Sequence, residues 1–589
     1  MRLVENPRQT KITLFLLFLV SAVFLSYAPV LNNGFIIWDD DVFLTWNQSL
    51  RGFDFKSVKE IFTKTICKVY VPLSVFSFAI ERHFFGLDPF VYHLNNLVLH
   101  IFVTVLVFLF ALRLGLKEKG ALLAALIFGL HPIHVEAVAW VTSRKDVLYA
   151  FFYMLSLLSY CTYLKSQLKK KKYLFFTAAL GFLSVLAKPM ALSLPVILLI
   201  LDLFFRRRID AASIKEKAWL VLLFLPMGWM SYKGNMRIPS FSFPWAPLNW
   251  MWTSIFYIKK FFYPDFFVLL HELPDARIFF DSKYLFALVV FVMLIMGFVR
   301  FRKNRYFVFA ILFYYASMFF LFRFDFTQDL NAVADRFMYL PCLGFCLGIG
   351  YVFETALQKV KEKRIWEFAL MALVSVFLLI LSLKTYEQTR VWKDGVSLWA
   401  HQFQKQLDAN PAFVYTKLAH ALVREDDFQK IINKHKEHQF LSSRQIGQVQ
   451  KMIHYYKTAI KINPDLANAY FYLGNLYEDL GNLREAEICY RKATEKEPEH
   501  FAAYYGLGHI FQMRGDYKGA IARYRKALLT GSDNRLLYER VIRMLDLAAA
   551  DNPSLAFIAN ERTNIIEVYK EFFGDEPTLP VSNFKELLY

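Results

Sequence analysis

As far as about Ala400, hydrophobic and polar positions do not alternate at the period of a surface helix or a half-buried strand; they come in blocks. Apolar runs occupy Ile12 to Val30, Leu97 to Leu112, Gly120 to Leu130, Val147 to Leu164, Tyr173 to Leu186, Met190 to Phe205, Lys217 to Met230, Tyr284 to Val299, Tyr306 to Leu321, Phe337 to Phe353 and Trp366 to Leu383. A helix that is apolar all round belongs in a bilayer, so these runs predict eleven membrane spans. No small-residue cleavage site follows the first run, which reads as a retained anchor with the mature chain starting near Met1. Gly120 to Leu130 is too short to span unless it continues past Pro132 or dips into a protein-lined cavity. Trp250 to Leu270 is interrupted by Lys259, Lys260 and Pro264 and reads as an interfacial or re-entrant helix.

Past about Ala400 the pattern becomes mixed and charged, and it repeats. The segments AYFYLGNLYEDLGNLREAEICYRKATEKEP (Ala469 to Pro498) and AYYGLGHIFQMRGDYKGAIARYRKALLTGS (Ala503 to Ser532) align at an offset of 34 residues. Gly474 pairs with Gly508, Gly481 with Gly515, Ala486 with Ala520, Tyr490 with Tyr524 and Ala493 with Ala527. That period, with small residues where two helices cross, is the tetratricopeptide repeat. Tyr456, Ala459 and Pro464 match the end of an earlier unit whose first helix is expected at Pro411 to Arg424, before a charged insertion, and Leu536 to Phe573 reads as a helical cap. The fold class is thus all-α: a polytopic membrane helical bundle over residues 1–390, then an α-solenoid of tetratricopeptide repeats over 391–589. Such a stack either offers a groove to a protein or peptide partner or serves as a rigid spacer.

Composition supports the membrane reading. The 589 residues are 56% hydrophobic, include 62 Phe and have a mean hydropathy of +0.32, too apolar for a soluble multidomain chain. The net charge of +19 does not indicate nucleic acid, because the basic residues stand in short clusters between apolar runs. These are Arg113/Lys117/Lys119, Lys165 with Lys169 to Lys172, Arg206 to Arg208, Arg300/Arg302/Lys303/Arg305 and Lys359/Lys361/Lys363/Arg364. By the positive-inside rule all five face the cytoplasm, which puts the N-terminus inside and the repeats outside. The five cysteines, Cys67, Cys161, Cys342, Cys346 and Cys489, lie mostly within apolar runs and imply no disulfide framework.

That topology collects the unusual polar residues on the outer side: Asp39 to Asp41, the stretch Tyr70 to His100, HPIHVEAVAWVTSRKDVL (His131 to Leu148), AKPM (Ala187 to Met190) and AVADRFMYLP (Ala332 to Pro341). Ionisable groups at membrane depth are costly and point to a polar cavity with a task. Three chemistries compete. His131, His134 and Glu136 have the donor types of a metal site, although Pro132 breaks helical spacing, so a divalent cation stays open with none assigned. Acids opposite bases suit a proton relay, but no inverted repeat is visible. A carboxylate that takes a proton from an acceptor hydroxyl, with Arg side chains holding an anionic leaving group, suits transfer of a sugar from a lipid phosphate. A solvated acidic loop is the plain alternative for Asp39 to Asp41.

These loops resemble the transmembrane and tetratricopeptide-repeat (TMTC-type) protein O-mannosyltransferases and their bacterial relatives, members of the GT-C class. The likeness rests on ordered motifs: Gly34, Asp39, Asp40 and Asn47; Tyr70, Pro72, Leu73, Gly86, Pro89, His93, Asn96 and His100; His131, Pro132, His134, Glu136, Arg144 and Asp146; then Asp335, Arg336, Tyr339 and Pro341. The resemblance implies a GT-C glycosyltransferase fold, a polyprenyl-phosphate sugar donor such as a mannose carrier, a protein acceptor recruited by the repeats, and inverting transfer. It implies Asp39 or Asp40 as general base and Arg144 and Arg336 as phosphate contacts, with Tyr70, His93, His131, His134, Glu136, Asp146 and Asp335 around the donor. Val71 stands where animal members carry Arg, and Asp41 extends the acid pair to a triplet. SRKDVL and AKPMALSLPVILLILDLFFRRR are closer to the bacterial branch, which implies a bacterial inner membrane; the Asn47-Gln48-Ser49 sequon is then incidental. Two rivals remain: a membrane scaffold that recruits partners through its repeats, and an enzyme of the same class acting on a glycolipid or cell-wall polymer.

Overall fold

The structure is a computed structural model that describes residues 7–36, 38–45, 47–50, 52–66, 69–234, 246–265, 267–274, 281–322, 333–405, 409–424, 426–437, 439–531, 534–551, 555–573 and 577. The chain divides into two compact units, Met1–His401 and Gln402–Tyr589. Both are helical; among the described residues the only β pairing is an isolated bridge between Ile66 and Val69.

Among the described residues of the first unit, five helical segments are long and apolar enough to cross a membrane: Gln9–Asn32, Pro89–Leu114, Val141–Lys165, Ser282–Phe301 and Arg364–Val391. A sixth candidate is the pair Glu118–Leu130 and Pro132–Ala139, which bends by 49° at His131 because Pro132 has no amide to continue the helix. The short run Gly120 to Leu130 therefore does continue past Pro132, as a broken element. Lys172–Ala187, Pro189–Phe204 and Arg305–Leu321 are shorter apolar helices. Two runs differ in detail from the sequence expectation. Phe337 belongs to a separate 3-10 turn, Asp335–Met338, and the helix proper is Leu343–Val360, since Pro341 stands between them. Of Trp250 to Leu270, the helix Ala246–Phe262 is packed into the unit through Trp252, Tyr257 and Phe261, and it stops just before Pro264.

Local chemistry sets the helix ends. Asp88 accepts from Phe90 N and, with Pro89 in the first turn, starts the helix Pro89–Leu114, which Gly115 ends with a left-handed φ of 100°. Where helices cross closely the residues are small. A Cβ on Gly350 would lie 2.5 Å from Gly120 O, and one on Gly344 would lie 2.5 Å from Ala310 O, so the helices Glu118–Leu130, Arg305–Met318 and Leu343–Val360 approach backbone to backbone.

The second unit is a stack of helix pairs. Pro411–Val423 and Ser443–Ile462 flank the charged insertion, which forms its own helix, Asp426–Lys436. Ala467–Asp479 with Leu483–Lys496, and Phe501–Met513 with Tyr517–Thr530, are the two repeats; Arg535–Asp551 and Ala556–Phe573 close the stack. The 34-residue offset recurs in the caps, Asn482 accepting from Glu485 N and Asp516 from Gly519 N. It also fixes Gly481 and Gly515, both left-handed at the turns. Gly474 faces the Tyr490 ring so closely that a Cβ would lie 2.7 Å from it, whereas Gly447 has nothing within 4 Å. Gly474→Val should therefore destabilise the repeats by about 1–3 kcal/mol through overpacking, and Gly447→Ala should be neutral or stabilising. Urea-dependent pulse proteolysis of the full chain, followed at the repeats, measures both.

Candidate functional site

The loops that the sequence analysis assigns to one side of the membrane are joined to one another through their polar groups. The first loop leaves the helix Pro7–Tyr27 through a 3-10 turn, and Asn33 Nδ2 donates to Thr389 O at 3.1 Å while Gly34 N donates to Lys393 O at 2.8 Å. This pins the loop to the end of the helix Arg364–Val391. Asp40 is buried and accepts two backbone amides, Ile36 N on Oδ2 at 2.9 Å and Thr142 N on Oδ1 at 3.0 Å. Burial pushes its carboxyl up to about 7, against the pull of those amides. Asp39 is half-buried; its carbonyl accepts from Phe43 N at 2.9 Å, and its carboxylate is one of the charges that act on Arg336.

Arg336 and Glu136 form the centre. The Arg336 guanidinium and its backbone amide both donate to Glu136, the amide at 2.9 Å. Burial disfavours the guanidinium charge, but Glu136, Asp146 and Asp39 outweigh it and hold Arg336 above its usual range. Its neighbour Asp335 contacts His271 Nε2 at 3.2 Å; burial raises its carboxyl, and Lys260, His271 and Arg336 more than reverse this. Asp146 forms an ion pair with Lys188, the lysine of AKPM. Burial brings the Lys188 ammonium down to about 8; Asp146 opposes this, and the nearby Arg336 and Lys145 reinforce it.

Arg144 is a clamp. Its guanidinium donates to Asn96 Oδ1, Ser77 Oγ at 3.3 Å, Tyr92 O at 2.8 Å, and both oxygens of Glu81 at 2.6 and 3.3 Å. All five N–H groups are thereby engaged, tying the helices Pro72–Phe85, Pro89–Leu114 and Arg144–Lys165 together. The histidines are spread over different partners. His93 Nε2 lies 3.3 Å from Gly34 O. His131 accepts from Ile133 N on Nδ1 and meets Phe261 O with Nε2, and His134 Nε2 lies 3.4 Å from Cys342 Sγ. With Glu136 held by Arg336, the three candidate donors of the H-x-x-H-x-E stretch meet three separate partners. Among the described residues no group of three or more metal-ligand side chains forms. Tyr70 lies apart from this centre and donates to Phe62 O at 2.9 Å, fixing the helix Phe55–Thr63. Asp41 accepts from Val42 N, and Asn47 builds the next turn by accepting from Ser49 N and Oγ.

Sequence reasoning did not single out Glu81, Lys145 or Lys188. Glu81 pairs with a residue 63 positions away and Lys188 with one 42 away, spacings that carry no local signal. The one legible hint was a charged residue inside an apolar surrounding, as in LAKPM.

The fold and these loops define a class: a helical membrane protein with a polar centre and tetratricopeptide repeats. The repeats match family models described as "Tetratricopeptide repeat" over residues 471–534 and "TPR repeat" over 444–481. Protein O-mannosyl-transferase TMTC3 of Mus musculus is 24% identical over 478 residues, 72% of this chain and 47% of the relative. Protein O-mannosyl-transferase F38B6.6 of Caenorhabditis elegans is 23% identical over 418 residues, 65% of this chain and 57% of the relative. The crystal structure of MamA covers 30% of this chain and 85% of its own, at 17% identity and a TM-score of 0.22. The chain spans about half the length of the curated relatives it matches. The chain is thus similar to TMTC protein O-mannosyl-transferases over about 70% of its length, at 22–24% identity.

Two outcomes follow from the geometry. Arg144→Gln leaves Glu81 buried without its cation and should cost about 3–5 kcal/mol, seen as a lower unfolding temperature of the detergent-purified chain. Asp40 titrates near 7 when folded and about 4 when unfolded, so the folded state binds its proton more readily. Its contribution to stability should therefore fall as pH rises from about 4 to about 7. Asp40→Asn should remove that component of the pH dependence in the same unfolding assay.

Proposed function

We propose that the chain is an integral-membrane glycosyltransferase that moves a mannosyl group from a polyprenyl-phosphate donor to a Ser or Thr hydroxyl of a protein acceptor, inverting the anomeric carbon. The observation that carries this is the half-exposed Asp39 carboxylate beside the buried Arg336 centre, a base next to a cation in loops whose motifs resemble those of the TMTC-type mannosyltransferases. In the reaction the acceptor oxygen attacks the anomeric carbon from the side opposite the phosphate, forming one C–O bond as the other breaks. The bonding electrons leave with the phosphate, and the hydroxyl proton passes to the carboxylate. Stabilising charge on the departing phosphate is where fixed cations gain most, and Arg336 is the cation this centre supplies.

Asp39 is the better base of the pair. Both oxygens of Asp40 already accept backbone amides, so Asp40 holds the loop and Asp39 meets the acceptor. Arg144, with its N–H groups engaged inside the protein, positions the helices beneath. His93, His131, His134, Asp146 and Asp335 fix the loops around the donor, and Tyr70, apart from them, fixes the helix Phe55–Thr63. The five basic clusters support a cytoplasmic N-terminus with the acid loop and the repeats on the opposite side, and the bacterial character of SRKDVL supports an inner membrane. The repeats recruit the acceptor protein.

Membranes carrying the wild type at matched expression should transfer labelled mannose from polyprenyl phosphate mannose to protein. Asp39→Asn should lower that rate by about 10²- to 10⁴-fold without lowering the unfolding temperature. Transfer unaffected by Asp39→Asn, with loss only on removal of the repeats, would favour the scaffold reading instead.

A further inference from the structure

Lys145 is a buried cation left over. It is the second residue of the helix Arg144–Lys165 and is only 9% exposed, yet among the described residues it makes no ion pair and no hydrogen bond through its ammonium. Its neighbours there are aromatic: Nζ lies 5.1 Å from the centre of the Phe43 ring and 5.5 Å from that of Trp140. The Arg336 guanidinium lies 5.2 Å from the same Trp140 ring and 4.9 Å from Phe337, and Lys188 Nζ lies 5.3 Å from Phe337. Three cations are thus strung along two rings. Arg336 is paired with Glu136 and Lys188 with Asp146, whereas among the described residues no carboxylate pairs with the Lys145 ammonium. Buried charge without a counter-ion is costly, and ring contacts recover only a part of that cost. Two further donors stand unpartnered beside it, the Trp140 indole N–H and the Ser143 hydroxyl, both fully buried. One unpaired ammonium and two spare neutral donors are the complement of a singly charged phosphodiester.

We infer that Lys145 is the anchor for the donor's phosphate, its ammonium and the Arg336 guanidinium sharing the anion beside Trp140. The inference rests on the glycosyltransferase reading and assigns its leaving-group site. The diester enters with one negative charge, which Lys145 neutralises. As the sugar leaves, the phosphate gains a second charge while the base gains the acceptor's proton, so the total charge is unchanged and the developing charge sits against two cations. The same chemistry would also accept free phosphate, and the lipid chain distinguishes the two.

The test uses the full chain purified in detergent, with unfolding temperature titrated against farnesyl phosphate, farnesol and inorganic phosphate. Farnesyl phosphate should stabilise the wild type and farnesol should not. Lys145→Gln should weaken farnesyl phosphate binding about ten-fold or more, and Lys145→Arg should restore most of it. Without ligand, Lys145→Gln should unfold no earlier than the wild type, because it removes an uncompensated buried charge; a purely structural lysine would give the opposite result. Equal farnesyl phosphate binding by wild type and Lys145→Gln would overturn the assignment and leave the glycosyltransferase reading standing. Equal affinity for inorganic and farnesyl phosphate would keep the anion site but remove the lipid donor. If neither phosphate stabilises the wild type, both readings fall.

Discussion

The Glu136–Arg336 pair is the constraint on which the polar centre depends. Both residues are almost wholly buried, and a buried charge is tolerable only when its partner is close and its remaining hydrogen bonds are made. Glu136 follows the break at Pro132 and Arg336 sits in a 3-10 turn ahead of Pro341, two places where proline interrupts a helix and frees backbone to approach another loop. The pair spans 200 residues of sequence, so it can form only once the helices between are packed. The Asp146–Lys188, Arg144–Glu81 and Asp40–Thr142 contacts then add the neighbouring loops.

This arrangement explains why so many polar residues survive in an apolar unit. The buried carboxylates of the polar centre find their partners on other loops and helices, so the charges bind these segments to one another. Lys145 breaks that pattern. The rings around its ammonium offset only part of the cost of burying the charge, and natural proteins keep such costly features where function gains from them.

Much of the fold was legible in advance. The apolar blocks located the helices, because a helix surrounded by lipid has no polar face to obscure its length. The 34-residue period located the repeats down to the glycines at their turns, because Gly474 and Gly481 each answer a local steric demand that no other residue meets as cheaply. The site was legible only as a set of loops. Which Asp is held and which is presented depends on amides from Ile36 and Thr142, the second of them 102 residues away. That Arg144 is spent on Glu81 while Lys145 is left unpaired follows from adjacent residues in one helical turn pointing at different neighbours. Spacing along the chain carries no trace of either fact.

In this proposal the outer loops form one site that holds a lipid phosphate at the Trp140 cations and its sugar at Asp39. Cryo-electron microscopy of the purified chain with bound polyprenyl phosphate mannose tests this directly. Phosphate density should lie among Lys145, Arg336 and Trp140, with the mannose directed to Asp39. Phosphate density at any other place on the membrane unit, with Lys145 and Arg336 as they stand in the free protein, would contradict it.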